Sequence, residues 1–345
     1  MRVLLILLVI VLLALPVSAS ELEAPSVPDS GMAFMPKEPE SFSEGVWEIL
    51  AEASAHIKPA FSEAAGVCST LIISVILCSV IKSAPGSPSK VVELVNTVYI
   101  ACLLLNPSNI LIHLGTTTIS ELSNYGKLLF PVLTAALAAN GGVTKSAALY
   151  TGAVALDSVL CAVISSIIVP LVYVFLVLSI VSGVVGEKRL DKMKGYIKTL
   201  ITWALKKILY IFTAFLGITG VVSGSTDAAA VKATKVAISG VVPVVGGMLS
   251  DASETVLVGA GVIKNTIGVY GLLAVLSVWI GPFIKIGVQY LLLAATSAVC
   301  DIFSKDRSCK IIEDFASAMG LLLGMTGTVC VFLLISIVCF MKGVS

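Results

Sequence analysis

Long runs of apolar positions, separated by short polar segments, dominate the pattern of this 345-residue chain. Several runs approach or exceed the ~20 residues that a helix needs to cross a membrane. The pattern predicts six spans, at residues 66–81, 91–113, 153–185, 200–222, 269–299 and 315–341. The predicted fold class is therefore all-α, a polytopic helical membrane protein.

Two further apolar runs carry a proline and are too broken for an ordinary span. They are KLLFPVLTAALAANGG at 127–142 and GVVPVVGGMLSDASETV at 240–256. Non-helical backbone at membrane depth is tolerated only where it is buried in protein or lines a cavity. We therefore predict two half-segments that dip into the membrane from outside and line a passage. The alternative is that both are ordinary tilted or interfacial helices.

The prolines and a heptapeptide recur along the chain. The spacing from Pro131 to Pro170 equals the spacing from Pro243 to Pro282. The sequence LGITGVV has a later counterpart, LGMTGTV. These matches predict a parallel tandem repeat of roughly 110 residues, with copies at about 125–225 and 237–341. In transporters, the interface between such repeats holds the binding or conducting path.

The N-terminal region differs from the rest of the chain. Arg2 is followed by an apolar run, Val3 to Leu15, and then by Pro16 and VSA, which predicts a signal peptide at residues 1–19. The alternative is an uncleaved membrane anchor. Residues 20–63 are interpreted as an acidic extracytoplasmic linker with an amphipathic helix, and residues 64–345 as the multi-pass membrane domain.

Composition and charge strengthen the membrane interpretation. The chain is 57% hydrophobic and 12% charged, whereas a soluble domain has about 25% charged residues. Lysine and arginine concentrate in three loops, 82–90, 186–207 and 300–314. By the positive-inside rule these loops are cytoplasmic and both chain ends lie outside. The net charge of +1 indicates no nucleic-acid partner, so the lipid bilayer is the expected environment.

Polar residues at membrane depth are the candidate functional residues, because an intramembrane charge is costly. Lys285 and Gln289 lie one helical turn apart, beyond a Gly-Pro break. The alternative is a structural ion pair, or a Lys285 side chain that reaches the membrane surface. The candidate passage-lining or buried polar residues are Pro131, Asp157, Pro243, Gly246, Gly247, Asp251, Glu254, Lys264, Asn265, Lys285 and Gln289.

Enzyme chemistry has little support in the sequence. The two histidines are far apart, and HExxH, GxSxG and Walker sequences are absent. The eight cysteines lack CxxC spacing and are interpreted as small packing residues. We therefore expect no enzyme activity, no catalytic residue, no metal and no cofactor.

Three segments carry a resemblance to a known family. They are NGGVTKSAALY at 140–150, the segment 224–271 that includes KATKVAISGVVPVVGGMLSDASETV, and SKDRSCKIIED at 304–314. Through them, residues from about 60 to 340 resemble the stage III sporulation protein AE family of endospore-forming bacteria. The resemblance implies a mother-cell protein in the outer forespore membrane. Its implied partners are the other stage III sporulation A proteins and a forespore membrane partner, in a secretion-like channel complex required for late forespore development.

The leading function is therefore an integral membrane subunit of that channel complex. The alternative is a small-molecule permease or transporter that uses the repeat interface, and a membrane enzyme is a distant third. Substrate uptake by vesicles that contain only this protein would favour the permease. Strict dependence on the complex would favour the subunit.

Overall fold

The computed structural model describes residues 24–37, 39, 41–139, 143–218, 266–303 and 306–342. Nearly all of these residues are helical, and no β-strand occurs among them. In chain order the helices are α1 (Asp29–Met32), α2 (Phe42–Ser83), α3 (Ser89–Ala139), α4 (Val143–Val163), α5 (Val169–Val185), α6 (Lys188–Ile218), α7 (Thr266–Phe303) and α8 (Arg307–Lys342). A π-helical turn, Ile164–Ile168, joins α4 to α5. The all-α prediction is confirmed.

Five elements are long and apolar enough to cross a membrane: α2, α3, the joined α4 and α5, α7 and α8. Each contains one of the predicted spans, so the polytopic membrane class is confirmed. The predicted span at 200–222 begins inside α6 and continues past Ile218, beyond the described part of the helix. The described residues therefore supply five spans where the sequence predicts six.

Helices α2 and α3 are much longer than the membrane is thick. They have 42 and 51 residues, or about 63 and 76 Å at 1.5 Å per residue, against a hydrocarbon layer of about 30 Å. The amphipathic helix and the span at 66–81 are one element, α2. Its N-terminus is capped by Ser41, whose Oγ accepts the Glu44 N–H at 3.2 Å. Both helices must therefore project from the membrane.

The first proline-bearing segment differs from its prediction. Residues 127–139 continue α3 without a break, and Pro131 lies inside the helix. Proline disfavours a helix interior, but Phe130 beside it is fully buried and stacks on Phe340 with ring centroids 5.7 Å apart. Tertiary packing thus holds this turn helical. The second segment lies in residues 219–265, outside the described residues, so the tandem repeat stays a prediction.

Helix α8 occupies the centre of the bundle. Every residue from 318 to 340 is buried, and α8 packs against α3, α7, α5, α6 and α4. Glycine permits the close approach of α3, since a Cβ on Gly126 would lie 2.6 Å from Leu333 Cδ2. The remaining long helices thus surround an apolar axis.

Exposed apolar side chains of α3 and α7 concentrate toward one end of the bundle, whereas α2 also exposes Trp47, Leu50, Ile57 and Phe61 in its N-terminal half. On α3 they run from Val91 to Ile110, with Leu128 beyond them among the side chains described up to residue 136, and on α7 from Leu291 to Phe303. Both runs lie beside loops that are rich in lysine and arginine. The α3 run covers about 30 Å, the thickness of the hydrocarbon layer. We call this surface the apolar belt and the lysine-rich side the basic end.

The half of the bundle beyond the apolar belt is a packed layer. Val27 and Phe34 are buried, and Ser30 Oγ donates a hydrogen bond to a Glu121 carboxylate oxygen. The described part of the acidic linker is thus attached to α3 and α7. The predicted signal peptide at residues 1–19 lies outside the described residues.

Candidate functional site

The predicted site residues do not converge on one place. Lys285 and Gln289 lie on α7, Asp157 on α4 and Pro131 on α3. The remaining candidates lie outside the described residues; they are Pro243, Gly246, Gly247, Asp251, Glu254, Lys264 and Asn265. The described structure therefore contains two separate candidate sites, one around Lys285 and one around Asp157.

Lys285 and Gln289 line a cavity of about 320 Å³ between α2, α3 and α7. We call it the polar cavity, and its polar lining residues are Glu63, Asn106, Lys285 and Gln289. They bring one carboxylate, one ammonium and two amides to the same space. None of these four side chains makes a hydrogen bond or an ion pair with another described residue. Within the described part of the chain, their polar groups are therefore left to a ligand or to water.

Each helix around the polar cavity carries a proline within about one turn of a polar lining residue. These prolines are Pro59 of α2, Pro107 of α3 and Pro282 of α7. Proline removes a backbone hydrogen bond and is the usual cause of a bend in a helix. Bends at these three prolines would separate the helices and would account for the gap. Only Pro282 was singled out from the sequence.

Three of the four polar lining residues lie at similar distances from the basic end, and Gln289 lies closer to it, at about 21 Å. At 1.5 Å per residue, Glu63 lies about 30 Å from the C-terminus of α2 and Lys285 about 27 Å from that of α7. Asn106 lies about 26 Å from the N-terminus of α3. Each of these three distances is close to the thickness of the hydrocarbon layer. With the basic end at the inner boundary, the counting places the polar cavity near the outer boundary of the membrane. The same counting along the sequence would have identified Glu63 and Asn106.

Asp157 lies in the bundle interior, between α3 and α4. Its side chain is fully buried. Ser123 Oγ donates a hydrogen bond to Oδ2 at 2.6 Å, and Cys161 Sγ lies 4.0 Å from Oδ1. A buried carboxylate is stable only with such partners. This site is separate from the polar cavity.

Ion pairs join the lysine-rich loops at the basic end. Lys82 of α2 pairs with Asp306 at 2.7 Å and with Glu93 of α3 at 3.6 Å. Arg307 of α8 also approaches Glu93, with Nε at 3.8 Å. The loops 82–90 and 300–314 therefore lie side by side, as the positive-inside argument requires of loops on one membrane face.

A second group of ion pairs adds the α5–α6 loop to this end. Lys194 contacts Asp314 and lies 3.1 Å from Asp191, and Lys310 also pairs with Asp191. Burial raises the pKa of Asp191, but hydrogen bonds from Lys310, Ser182 and Lys194 outweigh that effect and hold this pKa at about 2. Asp191 is therefore ionised at neutral pH. The first residues of the predicted loop 186–207 therefore meet the other two lysine-rich loops at the basic end, and α6 carries the rest of that stretch away from it.

Comparison with known proteins covers nearly the whole described structure. The sequence model of stage III sporulation protein AE matches residues 40–343. The chain is also similar to stage III sporulation protein AE of Bacillus subtilis (strain 168), with 26% identity over 222 residues. That match covers 63% of this chain and 56% of the relative, so it spans little more than half of the relative's length. No solved structure matches the chain.

Proposed function

The chain belongs to the stage III sporulation protein AE family, and from that membership we propose that it is an integral membrane subunit of the stage III sporulation A channel complex. The coarser statement, a sporulation protein with membrane-crossing helices, follows from the family and from the five apolar helices. The observation that carries the proposal is the extent of the match, since residues 40–343 include every helix from α2 to α8.

In this role the protein lies in the mother-cell-derived outer forespore membrane. It acts there with other stage III sporulation A proteins and a forespore membrane partner, and it carries out no catalysis of its own. The shape of the bundle supports this arrangement. Helix α3 is long enough to project roughly 45 Å beyond the hydrocarbon layer. That projection offers a partner in the facing membrane a surface to contact.

Affinity purification tests the proposal. A tagged copy, cross-linked in sporulating cells and purified, should recover the other stage III sporulation A proteins and a forespore membrane protein. The matched control is the same tagged copy produced in vegetative cells, where those partners are not made. Recovery of no such partner from sporulating cells would contradict the subunit role. A fluorescent fusion should also surround the engulfed forespore when it is produced in the mother cell.

Asp157 supports a second candidate function, a small-molecule permease. A fully buried carboxylate in an apolar helical bundle is a candidate site for ion-coupled transport, and at about 42 Å from the basic end along α4 and α5 this one would lie on the outer side of the membrane. In that case, vesicles that contain only this protein should take up a labelled solute, and Asp157→Asn should abolish uptake. Uptake that appears only with the assembled complex would favour the subunit instead.

A further inference from the structure

The polar cavity carries an unusual combination of charges for its place in the molecule. Glu63 and Lys285 line the same cavity, yet they form no ion pair with each other or with another described residue. The structural ion pair that the sequence allowed for Lys285 is therefore not present among the described residues. Two opposite charges at the edge of a low-dielectric layer each favour a counter-charge.

We propose that the polar cavity binds a zwitterionic headgroup that contains a phosphate and an amine, as in phosphatidylethanolamine. The phosphate pairs with the Lys285 ammonium, and the amine pairs with the Glu63 carboxylate. A purely anionic ligand would leave Glu63 facing a like charge, and a purely cationic ligand would do the same to Lys285. A ligand with both charges satisfies both residues.

The amide side chains complete the recognition of such a headgroup. Asn106 and Gln289 line the same cavity, and each supplies N–H donors and a carbonyl acceptor. The donors suit phosphate oxygens, and the acceptors suit an ammonium group. The cavity volume of about 320 Å³ lies at the small end of ligand pockets, which range from about 300 to 1,000 Å³. It is suited to a headgroup rather than to a whole lipid.

The surroundings of the polar cavity favour a lipid over a soluble zwitterion. Val67 and Leu111 form part of its apolar wall. Leu105, next to Asn106 on α3, and Leu291, toward the basic end from Lys285 on α7, are exposed. By the same counting along the helices these side chains lie on the membrane side of the polar cavity, where the acyl chains of a bound lipid would cover them. A water-soluble ligand would leave them uncovered.

Lipid binding by the purified full-length protein tests this inference, which does not depend on the proposed complex. Phosphatidylethanolamine added in detergent should raise the thermal midpoint and remain bound in native mass spectrometry. Phosphatidylglycerol, which lacks the amine, should do so much less. Lys285→Gln and Glu63→Gln should each retain the lipid about tenfold less well, because each removes a charge-assisted hydrogen bond. Lys285→Arg should preserve binding.

The matched control is Lys206→Gln, which changes an exposed lysine of α6 at about 27 Å from the start of that helix. Equal retention of both lipids, or equal loss in the Lys206 variant, would overturn the proposal. Soluble phosphoethanolamine distinguishes a free ligand from a lipid. If it also raises the thermal midpoint, the cavity recognises the same chemistry in a free ligand. If only phosphatidylethanolamine raises the midpoint, the ligand is the lipid. If Lys285→Gln does not accumulate, lipid retention by Glu63→Gln tests the proposal, because Glu63 is exposed and its replacement should not disturb folding.

Discussion

Burial decides how much each ion pair of the basic end contributes to stability. The Lys194 side chain is 5% exposed and contacts Asp314, which is 15% exposed. The Lys310 side chain is 50% exposed and pairs with Asp191. Removing one partner of a buried pair leaves an uncompensated charge inside the protein, whereas removing one partner at the surface leaves a charge that water can solvate.

Replacement of these two lysines should therefore have unequal effects. Lys194→Met should lower the free energy of unfolding by about 3 to 5 kcal/mol, because the buried Asp314 loses its ion-pair partner and keeps only the Ser179 hydroxyl and the more distant charge of Lys310. Lys310→Met should cost about 1 kcal/mol or less. Denaturant or thermal unfolding in detergent measures both changes. Equal losses would show that burial does not set the contribution of these pairs.

Asp191 predicts a dependence of stability on pH. Its folded-state pKa of about 2 lies below the ordinary aspartate value of about 3.9. A carboxyl group whose pKa is lowered by folding stabilises the folded state at pH values above its ordinary pKa. This contribution is lost as the pH falls toward the folded-state pKa. The thermal midpoint of the wild type should exceed that of Asp191→Asn by a constant amount above about pH 5. The difference should shrink between about pH 4 and pH 2. A difference that is unchanged at about pH 2.5 would contradict the assignment.

At the scale of the helices, contact between α3 and α8 depends on glycine. A Cβ on Gly126 would lie 2.6 Å from Cδ2 of the fully buried Leu333, so this side chain would have to shift within a packed core. A Cβ on Gly66 of α2 would meet nothing within 4 Å. The same substitution should therefore have opposite effects at the two positions.

Gly126→Ala should destabilise the protein, because overpacking costs about 1 to 3 kcal/mol and the gain in helix propensity is at most about 1 kcal/mol. Gly66→Ala should be neutral or slightly stabilising for the same propensity reason. Thermal midpoints of the two variants in the same detergent provide the comparison. A stable Gly126→Ala variant would mean that α3 and α8 pack less closely than described.

Because the lysine-rich loops meet at one end of the bundle, single cysteines placed near them should respond alike to a thiol reagent. Single cysteines at Ser83 and Gly195, in a background without the native cysteines, should be shielded from an impermeant thiol reagent in intact cells. A cysteine at Ala55, on the outer half of α2, should react. All three positions are exposed, so burial does not confuse the result. Labelling at position 195 before permeabilisation would reverse the predicted orientation.

At the scale of the whole molecule, the apolar belt surrounds only part of the bundle. Trp203 is exposed on α6, at about 22 Å from the basic end along that helix. Trp47 is exposed on α2, at about 54 Å from the basic end. The first tryptophan therefore falls within the hydrocarbon layer and the second well outside it.

Fluorescence quenching should separate these two tryptophans. In variants that keep only one tryptophan, lipids brominated on their acyl chains should quench Trp203 strongly and Trp47 little. Iodide added to the water should show the reverse order. Equal quenching of both by the brominated lipids would mean that the outer half of α2 lies on the membrane rather than projecting from it.

The sequence alone determined the helical membrane class, the core of five spans and the loops of the basic end. Apolar content and lysine density are local properties, and a chain in lipid must satisfy its backbone hydrogen bonds within each helix. Lys285 and Gln289 could be selected from the sequence for the same reason, since a charge inside an apolar run is visible without knowledge of the fold.

Only the tertiary structure decided how these helices combine. Glu63 and Lys285 line one cavity although they lie on α2 and α7, far apart along the chain. Helix α3 continues through Pro131 because its neighbour Phe130 is buried against Phe340, which lies near the end of α8. A proline inside a helix is a local penalty of about 3 kcal/mol, which packing of distant side chains can outweigh. Such contacts have no signature in the local pattern, because they depend on which helix faces which.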